Sequence, residues 1–273
     1  MRHYHIAPHT VLAELWQHRQ LIWQMVRREI VGRYRGSLMG LLWSFFNPVL
    51  MLVVYTFVFS VVFQAKWGQG GGGSKTEFAV ILFAGLIVFN LFAEVVNRAP
   101  NLVLEQVNFV KKVVFPLEIL PVVILGSALF HACVSLCVLV LFKLLIQHTI
   151  SLTLVLLPLV LLPLLLLVLG CAWFLASLGV FLRAAIDIIT ILTTALLFMS
   201  PIFFPVTAIP ADFRSLMLLN PLAFIVEQAR NVLLWGNVPD WQGLLTYSLA
   251  SLFVAWAGLA WFQKTRKGFA DVL

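Results

Sequence analysis

The sequence predicts an all-α membrane protein: six transmembrane helices, an N-terminal amphipathic interface helix, and a re-entrant outer helical hairpin between spans five and six. Three observations carry that fold. No Asp, Glu, Lys or Arg occurs in residues 38–65, 119–142, 149–182, 188–211 or 241–263, and each run exceeds the roughly 20 residues an α-helix needs to cross a bilayer core. The chain is 62% hydrophobic and only 11% charged, too apolar for a soluble domain. Its basic residues also cluster at the ends of the runs, where they orient a membrane protein.

A further span is expected over 78–97, where sixteen uncharged residues precede Glu94. With both termini in the cytoplasm, 13 Lys and Arg fall inside and 5 outside, as the positive-inside tendency requires. Residues 213–238 are apolar but are broken by Asn220-Pro221 and interrupted by Glu227 and Arg230. A seventh span there would put Lys264, Arg266 and Lys267 outside, so the segment is expected to dip into the outer leaflet and return, backed by protein.

Residues 10–30 read as an amphipathic helix with Thr10 as its N-cap. Leu12, Leu15, Trp16, Trp23, Val26 and Ile30 share one face, and Arg28 lies on the other with Glu14, Gln17 and Gln24. It would lie flat in the cytoplasmic interface, as an anchor or as a docking element. Residues 101–112 form the one substantial cytoplasmic loop between spans. A short helix is expected there, with Asn101 as cap and Glu105 in its first turn, serving as a connector or as a lever for a cytoplasmic motor. The whole chain, 1–273, is expected to be one permease-type domain, with no separate soluble unit.

Nucleotide chemistry finds no support. Gly68 and Gly73 flank four residues ahead of Ser74-Lys75, but the order departs from a phosphate-binding loop and no strand precedes it. A flexible outer loop is the better reading. Cys133, Cys137 and Cys171 lie inside apolar runs and read as packing residues. No His/Cys/Asp group has metal-ligand spacing and no nucleophile triad is evident, so no catalytic residue, bound metal or cofactor is assigned to this chain. Nucleic-acid binding is excluded by the placement of the basic residues.

Glu94/Arg98 and Arg183/Asp187 are each four apart, so each pair would neutralise itself on one helix face, as an orientation anchor or a switching pair. His131, mid-span and without an acidic neighbour in sequence, reads as a packed, hydrogen-bonded histidine rather than a proton relay. Trp43, Tyr55, Trp173, Phe198, Phe203 and Phe204 lie within spans, where rings pack against lipid and neighbours or stack on sugar faces.

Three stretches together resemble the permease subunit of type-2 ABC polysaccharide exporters, which move lipid-linked O antigen, capsule or teichoic acid. They are Arg33-Tyr34-Arg35-Gly36-Ser37-Leu38-Met39-Gly40-Leu41-Leu42-Trp43 ahead of Pro48; Val110-Lys111-Lys112-Val113-Val114-Phe115-Pro116-Leu117-Glu118-Ile119-Leu120-Pro121; and Ser200-Pro201-Ile202 with Asn220-Pro221-Leu222. The resemblance spans nearly the whole chain. It implies a multi-pass protein of the cytoplasmic (inner) membrane that forms a homodimer and pairs with two copies of a separate ATP-binding subunit, which would carry the ATP and Mg. It also implies ATPase contacts at residues 10–30 and 101–112, here Arg28, Asn101, Glu105, Asn108, Lys111 and Lys112. The implied outer gate is at 213–238, with Asn220, Pro221, Glu227 and Arg230. A lipid-linked polysaccharide would pass along the aromatic residues named above. The family commonly has adjacent Arg-Asp after the fourth span, whereas here Asp187 follows Arg183 by one helical turn. The alternatives are an ABC exporter of drugs or small lipids and, less in keeping with the few acidic residues, a membrane glycosyltransferase or polymerase.

Overall fold

The computed structural model describes residues 8–36, 39–62, 67, 75–107, 115–147, 151–210, 212, 217 and 220–273. Regular structure among them is helical: α1 (Pro8–Gln17), α2 (Arg19–Arg33), α3 (Trp43–Tyr55), α4 (Lys75–Arg98), α5 (Ile119–Gln147), α6 (Leu157–Phe181), α7 (Ala185–Met199), α8 (Ala223–Arg230), α9 (Trp241–Thr265) and the short α10 (Phe269–Val272).

Among the described residues, five helical stretches are long and apolar enough to cross a membrane: Gly40–Phe59, Glu77–Asn101, Ile119–Leu145, Leu152–Phe181 and Trp241–Val272. The run 188–211 behaves differently from its expectation. Its one α-helix among the described residues is α7, 15 residues, about 22 Å of helix against a hydrocarbon core of about 30 Å, with a 3₁₀ turn further on at Val206–Ala208. The helix stops at Ser200-Pro201, because a residue before proline is driven out of the α region and Ser200 takes an extended conformation, with ψ at 149°.

The helix α4 is the central post. Every residue from Phe78 to Phe89 is buried, and it packs against α3, α5, α6, α7 and α8. By contrast α3 is peripheral, with Leu50 and Val53, and Phe57 just beyond it, more than half exposed. Pro48 inside α3 removes the helical donor to the Ser44 carbonyl, and beyond Tyr55 the backbone widens into a π-helical turn over Thr56–Val62.

Backbones meet where α6 crosses α9. A Cβ on Gly258 would lie 2.1 Å from the Gly170 carbonyl oxygen, and one on Gly170 would lie 2.5 Å from that of Val254. Two glycines therefore permit main-chain contact, the small-residue packing that lets membrane helices associate without a hydrophobic driving force.

At the N-terminus the single predicted helix is two. It begins at Pro8, ahead of Thr10, and breaks at His18. The expected apolar face also divides: Val26 is buried beside Met25, while Trp16 and Trp23 are 71% and 69% exposed. The cause is a partner. Val26 seats on α5 at Gly126, where an added Cβ would come within 2.7 Å of Val26 Cγ2, so α2 is packed against a span and Trp23 points away, as does Trp16 of α1. Where it is described, the 101–112 segment opens on two 3₁₀ turns, Ala99–Asn101 and Leu104–Gln106, before Val107 turns α-helical; 108–112 lie outside the described residues. Pro100 docks on α6, its carbonyl 2.0 Å from where a Cβ on Gly179 would stand.

Candidate functional site: a polar cavity and its charged mouth

Faces of α3, α4 and α5, closed at one end by Arg33 and Tyr34 at the end of α2, surround a cavity of about 900 Å³. On α3 the lining recurs every fourth residue, Trp43, Asn47, Met51 and Tyr55; on α4 it includes Asn90, Glu94 and Asn97. Helical geometry aligns such positions along one stripe. Two of the six aromatic residues expected along a path, Trp43 and Tyr55, therefore lie in the cavity.

The others do not line it. Trp173 is in the core, 4% exposed, and donates its indole N–H to the Glu118 carbonyl at 3.0 Å. Phe198 and Phe203 stack at 5.8 Å, Phe203 and Phe59 at 5.9 Å, and Phe59 contacts Phe78 at 5.7 Å. These rings form a separate ladder beyond Tyr55 on the α3 side, with Phe198 at its exposed end. Phe204 is half-buried.

The charged mouth centres on Glu94. Arg33 Nη1 donates to its carboxylate at 2.6 Å, His131 Nδ1 lies 3.0 Å from both its oxygens, and Arg98 Nη1 is 3.8 Å away. Arg98 also pairs with Glu29 of α2. With Nδ1–H donating to Glu94, His131 Nε2 accepts from the Tyr34 hydroxyl at 3.2 Å. Burial raises the Tyr34 phenol above its ordinary value; Arg33 opposes the shift and Glu94 adds to it, so the hydroxyl is a neutral donor. The histidine does have an acidic partner, 37 positions away in sequence and brought near by the pairing of α4 with α5. Glu94 and Arg98 interact as expected, but Arg183 and Asp187 are both exposed and form no ion pair among the described residues.

At the other end the expected gate residues mostly converge. Asn220 Nδ2 donates to the Met199 carbonyl at 3.1 Å and to Ser200 Oγ at 2.9 Å, closing the end of α7, while its Oδ1 accepts from the Leu222 amide at 2.9 Å. The Pro221 carbonyl accepts from the Tyr247 hydroxyl at 2.6 Å. Arg230 is wholly buried and donates to the carbonyls of Ile81, Pro201 and Ile202 at 3.1, 2.6 and 2.9 Å, with Trp67 across its face at 4.6 Å. Burial pulls its guanidinium down to about 10 against the opposing pull of Glu227, so it stays charged at neutral pH. Glu227 itself is half-buried. Most of 213–219, the first part of the expected hairpin, lies outside the described residues.

Sequence reading missed several supports. Lys143, expected to face outside, is buried and donates to the carbonyls of Leu233 and Leu234 at 3.0 and 3.1 Å, while Thr153 donates to that of Val232 at 2.7 Å. Together they hold the turn after α8. Arg266 donates to Glu118 at 2.5 Å and to the Phe115 carbonyl at 2.7 Å, tying the end of α9 to the chain entering α5. Asn47 and Asn90 went unnoticed too, although fourfold spacing with Trp43, Met51 and Tyr55, and with Glu94, was a visible signal. Of the expected ATPase contacts, Asn101 is half-buried and Glu105 and Arg28 are exposed; Asn108, Lys111 and Lys112 lie outside the described residues, as does the glycine-rich stretch 69–74.

Known proteins resemble this chain over most of its length. It is 29% identical to an O-antigen export system permease protein of Myxococcus xanthus across 96% of this chain and 98% of that protein. A Klebsiella pneumoniae O-antigen export system permease protein is 23% identical across 91% and 93%, and an Escherichia coli polysialic acid transport protein 27% identical across 86% and 90%. Residues 20–234 match the ABC-2 type transporter family, covering nearly all of α2, the cavity and the Arg230 anchor: the chain belongs to that family of membrane transporters.

Proposed function

We propose that this protein is the permease subunit of an ATP-driven exporter that moves a lipid-linked polysaccharide across the cytoplasmic membrane. The observation that carries the reading is the cavity of about 900 Å³, with Trp43, Tyr55 and three asparagines in its wall, in a chain similar throughout to O-antigen export permeases. A membrane-embedded cavity lined by rings and amides suits a sugar polymer better than a purely apolar drug or lipid.

In this reading the whole chain is one permease domain, with α7 and the segment after it completing a sixth crossing and both termini in the cytoplasm. Two copies assemble, and the exposed apolar side chains of α3 and α7, among them Leu50, Val53, Ile191 and Leu192, meet lipid or the second copy. Two cytoplasmic ATPase subunits engage α1–α2 through Arg28 and the 101–112 segment through Asn101, Glu105, Asn108, Lys111 and Lys112. ATP and Mg belong to those subunits. Because α2 is ion-paired to α4 at the cavity mouth, a push on the interface helix reaches the cavity directly. The Asn220–Arg230 segment, pinned to the end of α7, is the outer gate.

Deleting the chain in its own cells should abolish surface polysaccharide while lipid-linked polymer accumulates inside, and the full chain should restore export only where the ATPase partner is present. Surface polysaccharide that persists without the chain would overturn the reading. Glu105→Lys combined with Lys111→Glu and Lys112→Glu should release the ATPase on purification; undiminished association would remove the lever role from this segment.

A further inference from the structure

Asn90 lies near the middle of the 25-residue stretch Glu77–Asn101 and is exposed where every residue from Phe78 to Phe89 is buried. Asn47 is likewise exposed, on α3. Both line the cavity with the rings of Trp43 and Tyr55. Among the described residues the two amides have no hydrogen-bond partner, and neither do the Tyr55 hydroxyl and the Trp43 indole N–H. Hydrogen-bonding groups left unpaired inside a membrane are costly, so these four call for water or a polar ligand. Pro48 adds a fifth group by depriving the Ser44 carbonyl, in the same wall, of its helical donor.

The charges in the wall are already committed. Arg33, Arg98 and His131 all engage Glu94, and Arg98 engages Glu29 as well. The stretch from Trp43 to Tyr55 thus offers neutral donors, neutral acceptors and two ring faces, with no free cation among the described residues. An acidic ligand would find no counter-charge there, and an apolar one would leave the amides unpaired. Sugar hydroxyls match amide groups that both donate and accept, and sugar C–H faces match aromatic rings.

We infer that Asn47 and Asn90, with Trp43 and Tyr55, form a binding site for an uncharged, hydroxyl-rich sugar unit. The inference rests on the exporter reading and narrows it: the glycan segment held in this cavity is neutral.

The test uses the full chain in membrane vesicles together with its ATPase partner, with Cys133, Cys137 and Cys171 replaced by Ser and a single thiol introduced by Asn47→Cys or Asn90→Cys. N-ethylmaleimide should label both positions, and maltoheptaose should slow labelling about threefold or more, whereas a sialic acid hexamer at equal concentration should not. A thiol introduced by Val53→Cys, on the exposed side of α3, should respond to neither sugar. In cells, Asn90→Leu should cut surface polysaccharide roughly tenfold, the discrimination a lost polar contact produces, while Asn90→Gln should keep most of it with the complex still assembled. Labelling slowed equally by the acidic sugar, or slowed by neither, overturns the inference. So does the absence of labelling at both positions, which would mean that protein fills the cavity. Export that depends on the chain without sugar protection defeats this inference alone; export that does not need the chain defeats the exporter reading as well.

Discussion

Arg33 at the end of α2 donates to Glu94 of α4 across 2.6 Å, and one helical turn away on both helices Glu29 pairs with Arg98. The two pairs run in opposite sense. Sliding α2 by one turn would set Glu29 against Glu94, so the charges hold α2 in one register on the central post.

Replacing Glu94 by Gln should loosen that hold. Arg33 is nearly half exposed, so solvent screens its pair and the expected loss is about 1–2 kcal/mol. It would be read as a lower melting temperature in detergent and faster proteolysis between α1 and α2. The charge-swapped double variant, Arg33→Glu with Glu94→Arg, should recover part of the loss. Proteolysis at the wild-type rate in Glu94→Gln would show that Met25 and Val26 alone hold the helix.

Gly85→Ala should disturb a residue 145 positions away. Its Cβ would stand 2.7 Å from Arg230 Nη2, displacing a guanidinium that satisfies three carbonyls. Arg230→Lys should fail similarly, since an ammonium cannot reproduce the planar fork. Each change should cost about 2–3 kcal/mol, and the double variant should lose less than the sum because both act on one contact. Full additivity in thermal unfolding would separate the two sites.

At the α6–α9 crossing, Gly258→Ala should drive the helices apart, because the added methyl meets backbone rather than a flexible side chain. A loss of about 2–4 kcal/mol is expected, with reduced yield of folded protein from membranes. Gly268→Ala is the control: its nearest atoms are Phe181 ring carbons at 3.6 and 3.7 Å, an ordinary contact.

The Glu118–Arg266 pair is well buried, its side chains 7% and 12% exposed. A double-mutant cycle with Glu118→Gln and Arg266→Gln should return a coupling of roughly 1–3 kcal/mol, as charged partners in direct contact do. A coupling near zero would mean that Arg266 is held by the Phe115 carbonyl instead.

Much of the fold was legible because hydrophobic runs and helix breakers are local. Four of the five uncharged runs and the Glu94-bearing segment became long helices, Ser200-Pro201 falls where α7 ends, and Asn220-Pro221 falls just before α8 begins. The N-terminal helix shows the limit. Its apolar periodicity was visible, but which side met protein depended on Gly126 of α5 offering a seat to Val26. The site was legible in its parts and obscure in its assembly. Trp43, Tyr55, Glu94 and His131 each drew notice, yet Trp43 and Trp173 looked alike in sequence and only one faces a cavity.

From its sequence alone this protein is determined to be a helical membrane protein with basic residues at the ends of its uncharged runs, since length, apolarity and charge placement are properties of consecutive residues. Tertiary structure alone decided which polar groups meet: Glu94 with His131, Arg230 with the Ile81 carbonyl, Lys143 with the turn after α8. Those meetings depend on each helix's rotation and depth in the bundle, which side-chain packing sets and local composition does not encode. The same rotations bury Trp173 and leave Asn47 and Asn90 open to one cavity.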